Sequence, residues 1–488
     1  MRGGLISGVI MVTMAWSSAQ AEQGSRIRDV RIAGCIHDLR IMQLDEDPWL
    51  DLVVLSTIPG GSVVLQWLPG GAGGFSADST LAVDLGPAAG VALADYTGDG
   101  RPEILRWTDA GIDARTLPSQ TSQSRTLNLL LPAERSVEET MRWRRVGPPR
   151  FLDLFMPLDD STSLFMAPRR DGFDLWAARA GKVLLYRRLA FQAIMTARLD
   201  GSGALPATSY VERRPSAWQL DLDGDGDLDI LGADQDRLIT YVNSGGFQSA
   251  PDRITLLSAA LDPTTTELLD QRMFCLDLNA DGMPDLVRSS FGYAVHGAVS
   301  SREIHRGRAG GVFTGAPDLR HVLPGLNIVE SFLDADGDGS MEMLASRVPL
   351  SADGITDSLA RGLVPYFIEL YKLGGEGYER RPTDVLPAVM TYPQLGPPRP
   401  AAVAVGDFNG DRRPDLAVPA GDECRIYWNR GEKLFKKGEC ARVPMTSSRL
   451  FMSRDLDGDG RTDLVGVHWP SDDISVIQVL ISRFPPNE

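Results

Sequence analysis

Between Asp221 and Asp229 the chain reads DLDGDGDLD, with carboxylates at positions 1, 3, 5 and 9 and glycine at position 6. Alternate side chains of a tight loop converge on one centre, and a hard cation such as Ca²⁺ takes six to eight oxygens at about 2.3–2.6 Å. The glycine permits the sharp turn, and the carbonyl of Asp227 at position 7 can add a backbone oxygen. Carboxylates this close repel one another unless a cation or a proton sits among them.

The pattern recurs. Oxygen side chains occupy positions 1, 3, 5 and 9 at Asp95, Thr97, Asp99 and Glu103, and at Asp277, Asn279, Asp281 and Asp285. They do so again at Asp334, Asp336, Asp338 and Glu342, at Asp407, Asn409, Asp411 and Asp415, and at Asp455, Asp457, Asp459 and Asp463. With Asp221, Asp223, Asp225 and Asp229 this makes six candidate metal loops, whose position-7 carbonyls belong to Arg101, Asp227, Met283, Ser340, Arg413 and Arg461. Five of them keep glycine at position 6 and the sixth has Arg412. An EF-hand begins in the same way but needs a bidentate Glu at position 12 and flanking helices. Position 12 here is Arg106, Gly232, Arg288, Ala345, Val418 or Gly466, and each loop is followed by a short apolar run such as Ile230-Leu231 or Leu464-Val465. Strand, carboxylate loop, strand is therefore the expected unit.

D-x-D-G-D-G-x-x-D between two strands, repeated every fifty to seventy residues, resembles the FG-GAP/VCBS repeat, the family of the integrin α-chain propeller. The resemblance implies an all-β fold, a β-propeller of four-stranded blades, with Ca²⁺ held in the loop that joins the first two strands of a blade. It implies no particular activity, because such propellers serve as adhesins, lectins, enzyme scaffolds and lyases. Two further units are degenerate: one keeps Asp45 and Asp47 and then shortens, and one keeps Asp159 with Ser161 and Ser163 but no acid at position 9. Both are expected to have kept the hairpin and lost the metal. Counting them predicts eight blades, with seven as the alternative. Only two strands (463–469 and 474–483) have room to follow the last loop, so the alternating segment Arg26 to Ala33 is expected to complete the last blade and close the ring. Decorations are expected at about 108–150, 168–215 and 350–400, with a surface loop at 350–362 and a brief helical turn at 136–143.

Arg2, the apolar run from Leu5 to Trp16 and Ala19-Gln20-Ala21 read as a secretory signal over 1–21, leaving 22–488 as one propeller domain. No other run is long enough to cross a bilayer as a helix. A secreted, periplasmic or cell-surface location is expected. The net charge of −16 excludes a nucleic-acid partner, whose phosphates need a basic face. Export favours oxidation, and Cys424 and Cys440 flank a turn-like segment, so a disulfide between them is expected, with Cys35 and Cys275 unpaired. No H-E-x-x-H, G-x-S-x-G or phosphate-binding glycine loop occurs. The stretch 292–311, with His296, His305, Arg302, Arg306 and Arg308, reads as a solvated basic loop, with an anion or sugar site as the other reading. The tryptophans are expected between blades as core. Together these point to an exported propeller with about six structural Ca²⁺ ions, acting as a non-catalytic binding, adhesion or scaffold module for a protein or glycan on one rim. A carbohydrate-active enzyme or lectin is the alternative.

Overall fold

A computed structural model describes residues 14–15 and 26–485, apart from 46, 72–73, 76–79, 89, 96, 98–100, 109–110, 118–125, 133–149, 152–154, 160–161, 170–171, 180–181, 192–193, 201–206, 214–215, 235, 259–264, 295–296, 349–362, 375–376, 392–402, 421–422, 432–433, 446–449 and 472–473. Apart from Met14–Ala15, which pairs with Asp29 and Val30, the expected signal segment lies outside these residues, as do the expected helical turn at 136–143 and the loop at 350–362.

The described residues contain strands and no α-helix. Antiparallel meanders of four strands in sequence order recur, for example Cys35–Met42, Asp51–Thr57, Val63–Leu68 and Leu81–Gly86. The strands between Phe155–Asp159 and Lys182–Ala190, between Ser216–Leu220 and Arg253–Leu256, and between Thr265–Leu276 and Leu319–Pro324 form three more. Two further meanders, Leu326–Leu333 to Asp384–Thr391 and Ala404–Gly406 to Phe435–Val443, are joined through a single parallel pair, Val389 with Ala420. The molecule is an all-β propeller.

Each sheet buries apolar residues against the next one in the chain. Leu286 and Leu231 share one cluster, Val287 and Met343 another, Leu344 and Leu416 a third, and Ala417 and Leu464 a fourth. The last sheet packs against the first. Val465, Val467, Ile477 and Val479 meet Ile36, Leu39, Leu52 and Val54. Arg26–Ala33 joins this junction as expected, pairing antiparallel with Ile474–Ile481 from Arg26↔Ile481 to Ala33↔Ile474. Its alternate residues Val30 and Ile32 are buried in the shared cluster. The strand covers an edge that would otherwise expose unpaired amides.

Three expectations change. The region 168–215 is mostly blade: Gly172–Arg179 and Lys182–Ala190 belong to a four-stranded sheet, and only Ile194–Asp200 with Ala207–Arg213 forms a separate hairpin. Residues 292–311 are not a loop, since Asp285–Ala294 pairs with Gly297–His305 along its length and both Arg302 and His305 are buried. His296 lies outside the described residues. Cys424 and Cys440 are free thiols. Their strands do pair, but Cys424 faces Val443 and Cys440 faces Tyr427. Three ladder steps put their Cα atoms roughly 10 Å apart, beyond disulfide reach, and an odd offset sends the sulfurs to opposite faces. Cys424 accordingly packs with Leu464 and Leu480, and Cys440 with Leu416 and Tyr427.

The closing strand gives a direct test. Ile32 is completely buried, so Ile32→Ala should lower unfolding stability by about 2–5 kcal/mol, read from the urea midpoint. An unchanged midpoint would mean that the junction carries no stability.

Candidate metal loops

Each loop joins the first strand of a sheet to the second, and its hydrogen bonds repeat from sheet to sheet. The position-1 carboxylate caps the turn. Asp221 accepts from the amides of Gly224 (2.7 Å) and Gly226 (3.0 Å), and Asp334, Asp407 and Asp455 do the same from their own positions 4 and 6. Asp277 takes the position-6 amide of Gly282 and the position-5 amide of Asp281. The position-5 carboxylates Asp225, Asp281, Asp338, Asp411 and Asp459 each accept from the position-7 amide at 2.7–3.0 Å.

The turn needs left-handed backbone at two places, of which the sequence motif indicated one. Position 6 has φ of +92° at Gly226, +82° at Gly282, +87° at Gly339, +81° at Gly460 and +67° at Arg412. Position 4 is also left-handed, at Gly224, Gly337, Gly410, Gly458 and Ala280 (φ +56°). A Cβ is strained there, which explains the G-D-G core of the motif and makes Arg412 and Ala280 its two exceptions.

Position 9 behaves differently from positions 1, 3 and 5. Asp229, Asp285, Glu342, Asp415 and Asp463 are buried. In each, one oxygen accepts from the position-2 amide: Leu222 (2.8 Å), Leu278 (3.2 Å), Ala335 (2.7 Å), Phe408 (3.1 Å) and Leu456 (2.9 Å). In four of them the other oxygen accepts from an amide beyond the next strand: Asn243, Gly307, Asn429 or Ser482, at 2.7–2.8 Å. This carboxylate clasps its loop to the end of the third strand, which lies alongside it. Glu103 instead accepts from the amide and hydroxyl of Thr97 at position 3; Asp99 of that loop lies outside the described residues. Burial pushes the carboxyls of Glu342, Asp415 and Asp463 up to about 7, the amides pull against it and the neighbouring loop carboxylates add to it.

The same clasp redraws the degenerate loop near Asp45. Asp51 is buried and accepts from the amides of Leu44 (2.9 Å) and Gly70 (2.8 Å). If Asp51 is position 9, Leu44 is position 2 and the loop begins at Gln43, not at Asp45. Asp45 and Asp47 then fall at positions 3 and 5, and the amide of Trp49 at position 7 donates to Asp47 at 2.8 Å, as in the five loops above. The loop is full length, which corrects the expected shortening. What it lacks is the position-1 carboxylate. Gln43 stands there, and its Nε2 donates inward to the carbonyls of Asp45 and Asp47. Position 6 is Pro48, which has no amide for a position-1 carboxylate to cap. In the unit near Asp159 the strands Phe155–Asp159 and Thr162–Arg169 turn directly, with Asp159 opposite Thr162, so the nine-residue loop is gone.

The donor set suits a hard cation. Carboxylate oxygens of Asp221, Asp223 and Asp225 come within 4.8 Å of one another, as do those of Asp334, Asp336 and Glu342, and those of Asp455, Asp457 and Asp463. Three side-chain oxygens, Oδ1 of Asn279, Asp336 and Asp457, are buried with no hydrogen-bond partner, and all three are at position 3. A buried acceptor without a donor is costly. The opposite oxygens of Asp336 and Asp457 are met from outside by Lys372 and Arg483, and Arg483 also reaches Asp459.

Adjacent loops touch in sequence. A Cβ at Gly224 would lie 3.9 Å from Met283, one at Gly410 3.2 Å from Arg461, and one at Gly458 3.3 Å from the Trp49 ring, which puts the last loop beside the first.

Two substitutions in one loop separate the clasp from the metal positions. Asp285→Ala leaves the amides of Leu278 and Gly307 unpaired and should cost about 2–4 kcal/mol with or without calcium, measured by chemical unfolding. Asn279→Ala should lower only the stability added by calcium. Equal behaviour of the two would refute this division of labour. In the Asp407 loop, Arg412→Gly relieves a left-handed arginine and should raise stability by about 1 kcal/mol; no gain would mean the strain is relieved by other contacts.

A family model described as FG-GAP-like repeat matches residues 43–105 and 407–466. No curated protein matches the chain. Among solved structures it is similar to one from work on recognition of non-reducing terminal N-acetylglucosamine by a lectin of Agrocybe aegerita, at 13% identity over 84% of this chain and 96% of that one, TM-score 0.38. It is also similar to the V. cholerae biofilm matrix protein Bap1 (11% identity, 96% and 91% covered, TM-score 0.33) and to the α-L-arabinofuranosidase Arb93A of Fusarium graminearum (11%, 67% and 91%, TM-score 0.28). The two matched segments open at Gln43 and Asp407, each the first residue of a loop, and in these segments the chain carries FG-GAP-like repeats.

Proposed function

We propose that this protein is an exported β-propeller of eight four-stranded blades, stabilised by calcium, that acts as a non-catalytic binding, adhesion or scaffold module. Residues 1–21 would be its secretory signal and 22–488 the single propeller domain. The observation that carries the calcium reading is the row of buried, donor-less position-3 oxygens inside loops whose carboxylates at positions 1, 5 and 9 each accept a backbone amide. At a separation of 4.8 Å, two carboxylates repel by about 3 kcal/mol at an effective dielectric near 20, before screening by salt. A divalent ion among positions 1, 3, 5 and 9 and the position-7 carbonyl reverses that term. The ion is structural in this reading: it ties each loop, and through the clasp each sheet, in the geometry described above.

The Gln43 loop takes no ion, since its amide donors fill the role of the cation, and the Asp159 hairpin has no loop to hold one. No described helix is long and apolar enough to cross a membrane.

Thermal melting in millimolar Ca²⁺ against EDTA, paired with native mass spectrometry, tests the reading. The expected result is a clear upward shift in Tm with about six bound ions, and no loss of ions on Gln43→Ala. Absence of a shift would reject structural calcium. Turnover of a polysaccharide by the calcium-loaded protein would reject the non-catalytic assignment in favour of a carbohydrate-active enzyme.

A further inference from the structure

A cavity of about 470 Å³ lies between the sheet that carries the Asp277 loop and the sheet that carries the Asp334 loop. One wall comes from the paired strands Gly297–His305 and Leu319–Pro324, where Arg302 faces His321 and Ile304 faces Leu319. The other wall is the small hairpin of Leu373–Gly374 with Gly377–Tyr378, followed by Glu379 and Arg380. A volume of this size is in the range of small-molecule sites.

The cavity contains an arginine that the fold does not satisfy. Arg302 is 2% exposed, and its Nη2 donates to Asn327 Oδ1 while Nε and Nη1 are buried with no hydrogen-bond partner. Its guanidinium stacks on Tyr371, 4.8 Å from the ring centroid. The nearby carboxylates are already engaged. Glu369 accepts from Arg347, from Tyr371 Oη (2.7 Å) and from Asn327 (3.3 Å). Glu303 is held by Arg288 and, at 3.3 Å, by Arg320. His321 Nδ1 is likewise buried without a partner. Burial, together with the charges of Arg302 and Arg380, holds the imidazole below its usual value. Unspent buried donors on two paired strands, beside the lining cations Arg320 and Arg380, are not general surface character in a protein of net charge −16. Burying a charge this way is costly unless a partner arrives to pair with it.

We propose that this cavity binds the oxyanion of a small ligand of monosaccharide size, the carboxylate of a hexuronate, through Arg302 and His321, with Arg380 at the mouth. The apolar side chains of Ile304 and Leu319 would face the body of the sugar, and the unspent donors its charge. The assignment supplies a ligand class for the binding reading above, but it uses none of the loop residues. Calcium-dependent melting can therefore fail while this site survives, and the reverse.

Isothermal titration of the full, calcium-loaded chain with D-glucuronate, D-glucose and inorganic phosphate tests it. Glucuronate should bind, glucose should not, and Arg380→Gln and His321→Gln should each weaken glucuronate at least five-fold with an unchanged Tm. Arg302→Gln should abolish binding, and because that residue is buried its effect counts only if the variant melts as the parent does. Phosphate competing with glucuronate would support one shared oxyanion subsite. Phosphate bound without glucuronate, glucose binding as well as glucuronate, no binding by any of the three, or affinity unaffected by both Arg380→Gln and His321→Gln would each overturn the proposal.

Discussion

A buried carboxylate that accepts two backbone amides underlies five sheets of this propeller. At Asp51, Asp229, Asp285, Asp415 and Asp463 one oxygen takes the amide at the start of the loop and the other an amide beyond the next strand. An ionised group in the interior is tolerable only with hydrogen bonds of this kind. The bonds fix where the loop starts and ends relative to the sheet, so positions 1, 3 and 5 are presented together whether or not an ion is present. One nine-residue motif thus combines a clasp at its far end with a cation cage at its near end, and the two ends are separable in stability measurements.

Much of this was readable in the sequence because the spacing of acids is a local signal. The six loops, the strands around them and the closing role of Arg26–Ala33 all follow from short-range pattern. What was missed depends on contacts that spacing does not carry. Asp45 looks like a first position until Asp51 is seen to clasp Leu44, and only then does Gln43 take its place at the head of the loop. Cys424 and Cys440 sit on paired strands, yet an irregular step in the ladder between Tyr427 and Asn429 helps to set a register that places them on opposite faces. Arg302 belongs to an arginine-rich stretch that suggests solvent. Both faces of its strand are buried, so Glu303 is taken up on one by Arg288 of the paired strand and Arg302 lies on the other against Asn327 and Tyr371.

The junction between the first and last sheets rests on apolar burial, as the other sheet contacts do. Val30 and Ile32 bring apolar surface to it from the start of the described fold, and Val465, Val467, Ile477 and Val479 bring it from the end. On the rim above, the last acidic loop meets Trp49 of the one full-length loop whose first position is an amide. With Gln43 donating inward and Pro48 removing the amide that a carboxylate would cap, that loop holds its shape through its own hydrogen bonds. Closure therefore rests on apolar burial and, on the Gln43 side, on neutral donors that do not change with cation concentration. On the other side of the junction stands one loop that crowds carboxylates, that of Asp455, and the remaining acidic loops stand in the sheets between.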